Sequence, residues 1–468
     1  MASGAVTRSF TRTLAEFAAG VELRDAPAAV RDELNRVALD CLGCMVAGLV
    51  TQSGGIVVDL ARGERGPLEA AVPGAGRASL LPAVLANVML TNAIEHEVQG
   101  PEGHVCAVAA PVALAVAEAA DAPGSDLAAG LLAGLEIGGR VGRALRRPAR
   151  TSGGDGVHQH VVLAAAAAAG RALRLTPDQM HHALGIAGYG ATVPTVAKLR
   201  QAGDGSMIKN SLGLMARHGV QAALLAQRGF TGDLEVLEGD IGFWRFAGAP
   251  GCDWDYLTRD LGSYWTAAEV WYKPTPSALA GVSTVQLLCR MVQEHHLVPG
   301  QIDEIEIRLP RPPRRAPSPE ALNSTSFWGN QAYVAAAAIS DVRPRRSWQD
   351  PETLRRRDLH ELMGKMRFTE LGREPALHLR GEEEATGSYE GGWSPVAVVI
   401  RANGQTFEGA QNYRDRMSDE ELAAKFRENV AGLLTDADAQ TIQQRCARLA
   451  TLGNARELTE SLSRAALP

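Results

Sequence analysis

Two short stretches hold the residues best suited to chemistry. In NAIEHEVQGPEGHVCA (92–107), Glu95, His96, Glu97, Glu102 and His104 crowd together, interrupted by two Gly and one Pro. In GVHQHVVLAAAAAAG (156–170), His158 and His160 follow the Gly-rich TSGGDG. Imidazole changes charge near neutral pH, so histidines close to carboxylates suit general acid–base work. Each cluster also stands just before an apolar, helix-like run. Unpaired N–H groups and the macrodipole at such a helix start favour an anion. His104, and His158 with His160, are therefore candidates for proton transfer or substrate binding. His-x-His spacing can ligate a metal, but no third ligand stands near it in sequence, so no metal site is assigned.

Two lysines join this set. Lys209, in GDGSMIKNSLGLMARHG, enters a helix-like run from a Gly-rich loop, and Lys273 lies in VWYKPTPSALAG among aromatic and Pro residues. Taken alone, each reads as a surface lysine. With the histidines they fit a carboxylate substrate, whose charge an ammonium on a long stem can neutralise. The chain has no P-loop, G-x-G-x-x-G or G-x-S-x-G, which argues against nucleotide binding and serine-hydrolase chemistry.

These residues need elements to hold them. Helical signals dominate the first half. PAAVRDELNRVALDCLGCMVAGLV (27–50) places Val30, Leu34, Val37, Cys41 and Met45 at three- and four-residue steps. LTPDQM encodes a helix start, with Thr176 as N-cap, Pro177 at the first position and Gln179 closing a capping box. After about residue 268 the pattern changes. QIDEIEIRL alternates Ile with acids as a strand does, and PVAVVIRANGQTFEG carries two β-rich runs around Asn403-Gly404, a hairpin signal. DPETLRRRDLHELMGKM reads as helix. Ser418 and Glu421 form a capping-box pattern that returns the chain to helix. The organisation expected is a helical domain over 1–268, an α+β domain over 269–406, and a return to the helical domain over 407–468.

Composition bounds the class. At 468 residues the chain is long enough for two domains, and 46% hydrophobic with 21% charged residues is ordinary for a soluble globular protein. A net charge of -6 carries no nucleic-acid signature. The Pro-interleaved basic runs at 308–320 and 342–348 read as solvated loops. CLGC (41–44) has no second pair and falls at helical spacing, so its cysteines read as small core residues. No signal-peptide or membrane-spanning pattern is read, and a cytoplasmic, reduced setting is expected.

Several segments, in order, resemble the MmgE/PrpD family, which includes 2-methylcitrate dehydratase, cis-aconitate decarboxylase and iminodisuccinate epimerase. ALDCLGCMVAGL is similar to its early helix, LPAVLANVMLTNAIEHE to the helix leading into its acidic motif, and HVCAVAAPVALAVAEAA to its His-Pro-Ser helix. ARHGVQAALLAQRGFTG, YKPTP, QAYVAAAAISD and MSDEELAAKF are similar to later signatures. The resemblance implies a mainly α fold: an all-helical domain formed by both chain ends plus a smaller α+β lid domain, usually as a homodimer. It implies proton removal or addition beside a carboxylate with no cofactor. It places the acidic motif on Glu95 and Glu97, its histidine on His104, and the Gly-x-His motif on His158, so Glu95, His104 and His158 are the expected catalytic residues. The two family lysines fall on Lys209 and Lys273, and the tyrosine of the smaller domain falls on Tyr333, so these three are expected to bind substrate.

Where members acting on citrate-like acids carry histidines after the second lysine, this chain has Ala278 and Val282. A site without such partners discriminates against a polar substrate. The expected activity is a lyase, dehydratase- or decarboxylase-like, on a small carboxylic acid other than a typical tricarboxylate. An epimerase or isomerase using the same proton carriers is the alternative. A non-catalytic binding protein is the third. The partner expected is a small-molecule carboxylate, with neither nucleic acid nor membrane.

Overall fold

The computed structural model describes residues 9–100, 102–146, 158–191, 207–313, 318–372, 395–412 and 415–467. The chain divides into two compact units, one of residues 1–93, 97–271 and 422–468, the other of 94–96 and 272–421.

The first unit is mostly helical. Its helices as far as Gln227 are α1 (Phe10–Gly20), α2 (Ala28–Ala47), α3 (Gln52–Gly63), α4 (Leu80–Asn92), α5 (Val105–Ala119), α6 (Gly124–Arg146), α7 (Val161–Ala172), α8 (Pro177–Gly188) and α9 (Met207–Gln227). The apolar stripe of α2 is buried, and its CLGC cysteines are core residues. The Thr176–Gln179 capping box forms at the start of α8. The unit is not purely helical: β1 (Ala70–Val72) and β2 (Gly76–Ala78) pair as a hairpin. Strands of three residues are too short to leave an alternating pattern in the sequence.

Helix α7 explains how so Ala-rich a domain can be dense. Its six-Ala run is fully buried against α5, α6, α8 and α9. Opposite it, α6 carries Gly130, Gly134, Gly138 and Gly142, one per four residues and so on one face. A Cβ at Gly134 would lie 2.9 Å from Ala109 and Ala168, and one at Gly138 2.6 Å from Val105. The bare face lets the α6 backbone press onto α5 and α7.

The second unit holds a four-stranded sheet, order β4-β3-β5-β6, built from β3 (Ile302–Leu309), β4 (Met366–Glu370), β5 (Val396–Ala402) and β6 (Gln405–Gln411). Strand β3 runs parallel to β4 and antiparallel to β5. The β5–β6 hairpin turns at Asn403 and Gly404, with φ of 52° and 73°. Such positive φ at both central residues suits a tight hairpin. Its core joins Ile305, Ile307, Val398 and Ile400 to residues of α10 (Val282–Glu294), α11 (Gln331–Ile339) and α12 (Arg357–Gly364). The helical reading of DPETLRRRDLHELMGKM runs slightly too far: the helix stops at Gly364, and β4 begins at Met366, paired with β3.

The last helices are α13 (Asp419–Val430), α14 (Asp436–Cys446) and α15 (Arg456–Leu462). The Ser418–Glu421 box caps α13. Gly43 of α2 leaves room for Phe426 of α13, since a Cβ there would lie 2.9 Å from its ring. Among the described residues, no single helix is long and apolar enough to cross a membrane.

Candidate active site

Most of the candidate chemistry lies where the chain passes from α4 to α5. In the first unit, Asp40 of α2 pins this segment. Its Oδ2 accepts from the Val98 N–H at 2.6 Å, and its Oδ1 pairs with Lys425 of α13 at 2.6 Å. Burial pushes the Asp40 carboxyl up, and Lys425 pulls against that shift. Gln99 and Trp271 exchange backbone hydrogen bonds of 2.8 and 2.6 Å. Gly100 N–H then donates to Gly103 O at 2.9 Å, closing a turn in which both glycines have positive φ (117° and 61°). His104 follows as the N-cap of α5.

Glu97 Oε1 lies 2.5 Å from His104 Nδ1, and Asn92 Nδ2 donates to the same oxygen at 2.8 Å. An ionised carboxylate only accepts, so this bond assigns the ring proton to Nδ1 and the lone pair to Nε2. Gln99 Nε2 is 3.2 Å from Nδ1 and 3.3 Å from Nε2 of the ring, so in this tautomer its amide can donate to the Nε2 lone pair. Glu97 is fully buried and His104 is 8% exposed. His158, half-buried, meets His104 edge-on with ring centroids 5.2 Å apart and planes at 88°. The first unit thus holds a carboxylate–imidazole pair beside a second imidazole. Nε2 of His104 can take a proton, and Glu97 would stabilise the imidazolium formed. Glu97 and His104 also have the donor types of metal ligands.

The neighbouring residues form a buried polar network. Arg143 of α6 lies 3.4 Å from Glu102 Oε1 and 2.6 Å from Glu269 Oε2, and it donates to the hydroxyls of Tyr256 at 2.8 Å and Tyr264 at 3.1 Å. Burial opposes its charge, but Glu269 overcomes that and raises its pKa. The Tyr264 hydroxyl bonds Glu269, and burial followed by that carboxylate pushes the phenol up. His160, the N-cap of α7, donates Nε2–H to Glu102 O at 3.2 Å.

In the second unit, Lys273 Nζ lies 3.0 Å from Glu95 Oε1 and donates to Glu95 O at 3.1 Å, both residues being buried. The Ser277 N–H reaches the same carbonyl at 3.2 Å. Glu95 holds a positive φ of 54°, a backbone strain uncommon for a non-glycine residue. Tyr333 lies wholly in the core of this unit, where its hydroxyl donates to Trp348 O at 2.6 Å and burial pushes its pKa up. Lys209 is on α9, and its side chain lies outside the described residues.

The resemblance in sequence points to Glu95 as the catalytic acid beside the histidines. The carboxylate bonded to His104 Nδ1 is Glu97, in the same quoted stretch, while Glu95 bonds Lys273. Asp40, Asn92 and Arg143 carry no local signal, because each acts through a contact distant in sequence or across a helix end. The spacing of Gly130 to Gly142 is a usable signal for the close helix packing behind the site.

The chain matches two domain families in order: the MmgE/PrpD N-terminal domain over residues 12–251 and the MmgE/PrpD C-terminal domain over residues 276–449. No curated protein matches it. Family membership supports a dehydratase- or lyase-type function in the broad sense. With both halves matched in sequence order across most of its length, the chain belongs to the MmgE/PrpD family.

Proposed function

We propose that the protein is a lyase that abstracts a proton alpha to the carboxylate or carbonyl of a small organic acid, with His104 as the base. The observation that carries this is the 2.5 Å bond from Glu97 to His104 Nδ1, with His158 edge-on to the same ring. In this reading, His104 Nε2 takes the Cα proton as Glu97 steadies the imidazolium. The C–H electron pair becomes the new double bond, and the beta hydroxyl departs as water with a proton from His158. In the decarboxylase variant no Cα proton is taken: the C–C bond to a carboxylate beta to a carbonyl breaks to release carbon dioxide, its electron pair passes into an enolate, and a protonated imidazole then gives that carbon its proton.

The two imidazoles also favour a second reading. If no group leaves and the proton returns to the opposite face, the same pair performs an epimerisation. Ala278 and Val282 bring neither charge nor donor, which supports a substrate less charged than a tricarboxylate. Lys273 is engaged by Glu95 within its own unit, so the proposal rests on the first-unit residues.

Proton NMR in deuterated water, with a panel of hydroxy, unsaturated and amino carboxylates, tests the proposal. A new vinyl signal dependent on His104 is the expected result. Deuterium at Cα with no change of mass beyond the label would select the epimerase. An undiminished reaction in His104→Ala would refute both.

A further inference from the structure

The turn carrying His104 is held at one residue, Glu102, from two sides. Its side chain meets the Arg143 guanidinium at 3.4 Å, and its carbonyl accepts from His160 Nε2 at 3.2 Å. Arg143 is itself fixed by Glu269, Tyr256 and Tyr264, all from the 254–271 stretch of the same unit. The backbone of that stretch supports the turn as well. A Cβ at Gly100 would lie 2.4 Å from Glu269 O, and Gln99 and Trp271 are bridged through their backbones. On the other side, a Cβ at Gly142 would lie 2.8 Å from Glu102 Cβ and from the His160 ring. Helix α6 therefore touches the turn with a bare backbone at Gly142 and with a charged arm at Arg143.

Buried ion pairs contribute little net stability, since desolvation offsets their attraction. What such a network supplies is geometry, and here the geometry ends two residues from His104. The short span matters because a proton carrier displaced by about 1 Å can lose about 100-fold in rate. The structure assigns to Arg143 a positioning role: through Glu102, with His160 on the same residue, it sets where the His104 ring meets Glu97 and His158. Arg143 does not touch substrate in this assignment. The inference rests on the proton-transfer reading of His104, and its test is separable from that reading.

The test uses the full-length protein with 15N-labelled histidine. A ring N–H held by a carboxylate gives a downfield proton resonance, which reports the Glu97–His104 bond without any substrate. Arg143→Met is expected to weaken or erase this signal while circular dichroism stays that of wild type. The deuterium-exchange kcat should fall by about tenfold or more with KM little changed. Arg143→Lys, which keeps the charge but not the fork, should recover part of both. If Arg143→Met does not fold, Glu102→Gln serves in its place, with a smaller loss in the same direction. A folded Arg143→Met or Glu102→Gln protein with the wild-type His104 signal and an unchanged kcat would overturn the assignment. Exchange persisting in His104→Ala would sink the proton-transfer reading alone, leaving the resonance to decide the positioning claim.

Discussion

At the scale of single residues, the account turns on one oxygen. Glu97 Oε1 receives both the His104 Nδ1–H and the Asn92 amide, so the carboxylate is itself oriented before it orients the ring. Glu97→Gln keeps the size but removes the charge, and its amide can present a donor to Nδ1. That would favour the wrong tautomer, as in other carboxylate–imidazole pairs, and a rate loss of about 10²- to 10⁴-fold is expected. Steady-state rates on any acid the enzyme turns over would measure it. A Glu97→Gln enzyme within about threefold of wild type would remove Glu97 from the machinery. Residue types alone bring Glu97 and His104 into view, because acids and histidines stand out in an apolar chain. Which acid serves which partner is not legible. Glu95 and Glu97 are two positions apart, and the distinction depends on a positive φ at Glu95 that no neighbouring glycine announces.

At the scale of elements, helix α6 links packing to the site. Its glycine face presses on α5 and α7, and the last of these glycines lies against Glu102 and His160. Gly142→Ala is expected to destabilise the fold by about 1–3 kcal/mol, because the methyl meets a side chain and a ring with no space to yield. Gly55→Ala makes the contrasting case. It lies in α3 with nothing within 4 Å of the methyl it would gain, so helix propensity alone should stabilise it by about 0.5–1 kcal/mol. Urea denaturation of both variants reads the difference, and equal effects would contradict the packing account. Capping boxes, the α2 stripe and the Asn403-Gly404 hairpin are legible because each is a local code. Strand β4 is not: its pairing with β3 is parallel and distant in sequence, and a helical pattern runs directly into it.

At the scale of the whole molecule, the first unit draws on both ends of the chain, and Lys425 joins them where it matters to the site. Its ammonium neutralises Asp40, which in turn holds Val98, the neighbour of Glu97. Lys425→Met would leave a buried carboxylate without its cation, a loss of about 3–5 kcal/mol at neutral pH. Asp40 already has a raised pKa from burial, so the folded state holds its proton more tightly than the unfolded chain does. As pH falls through that raised value, Asp40 becomes neutral and no longer needs the cation. The gap between Lys425→Met and wild type should therefore narrow as pH falls from neutral towards the ordinary carboxylate range, as measured by chemical denaturation. A gap that stays constant would show that Asp40 is not the group left unpaired.

The central claim is that two imidazoles of the first unit carry a substrate proton. Its most direct measurement is the initial rate of deuterium entry at the carbon alpha to the carboxylate, in wild type, His104→Ala and His158→Ala, on one acid that the wild type turns over. The account expects each variant to stay folded and to lose about 10²- to 10⁴-fold in rate. A rate within about threefold of wild type in either folded variant would contradict it.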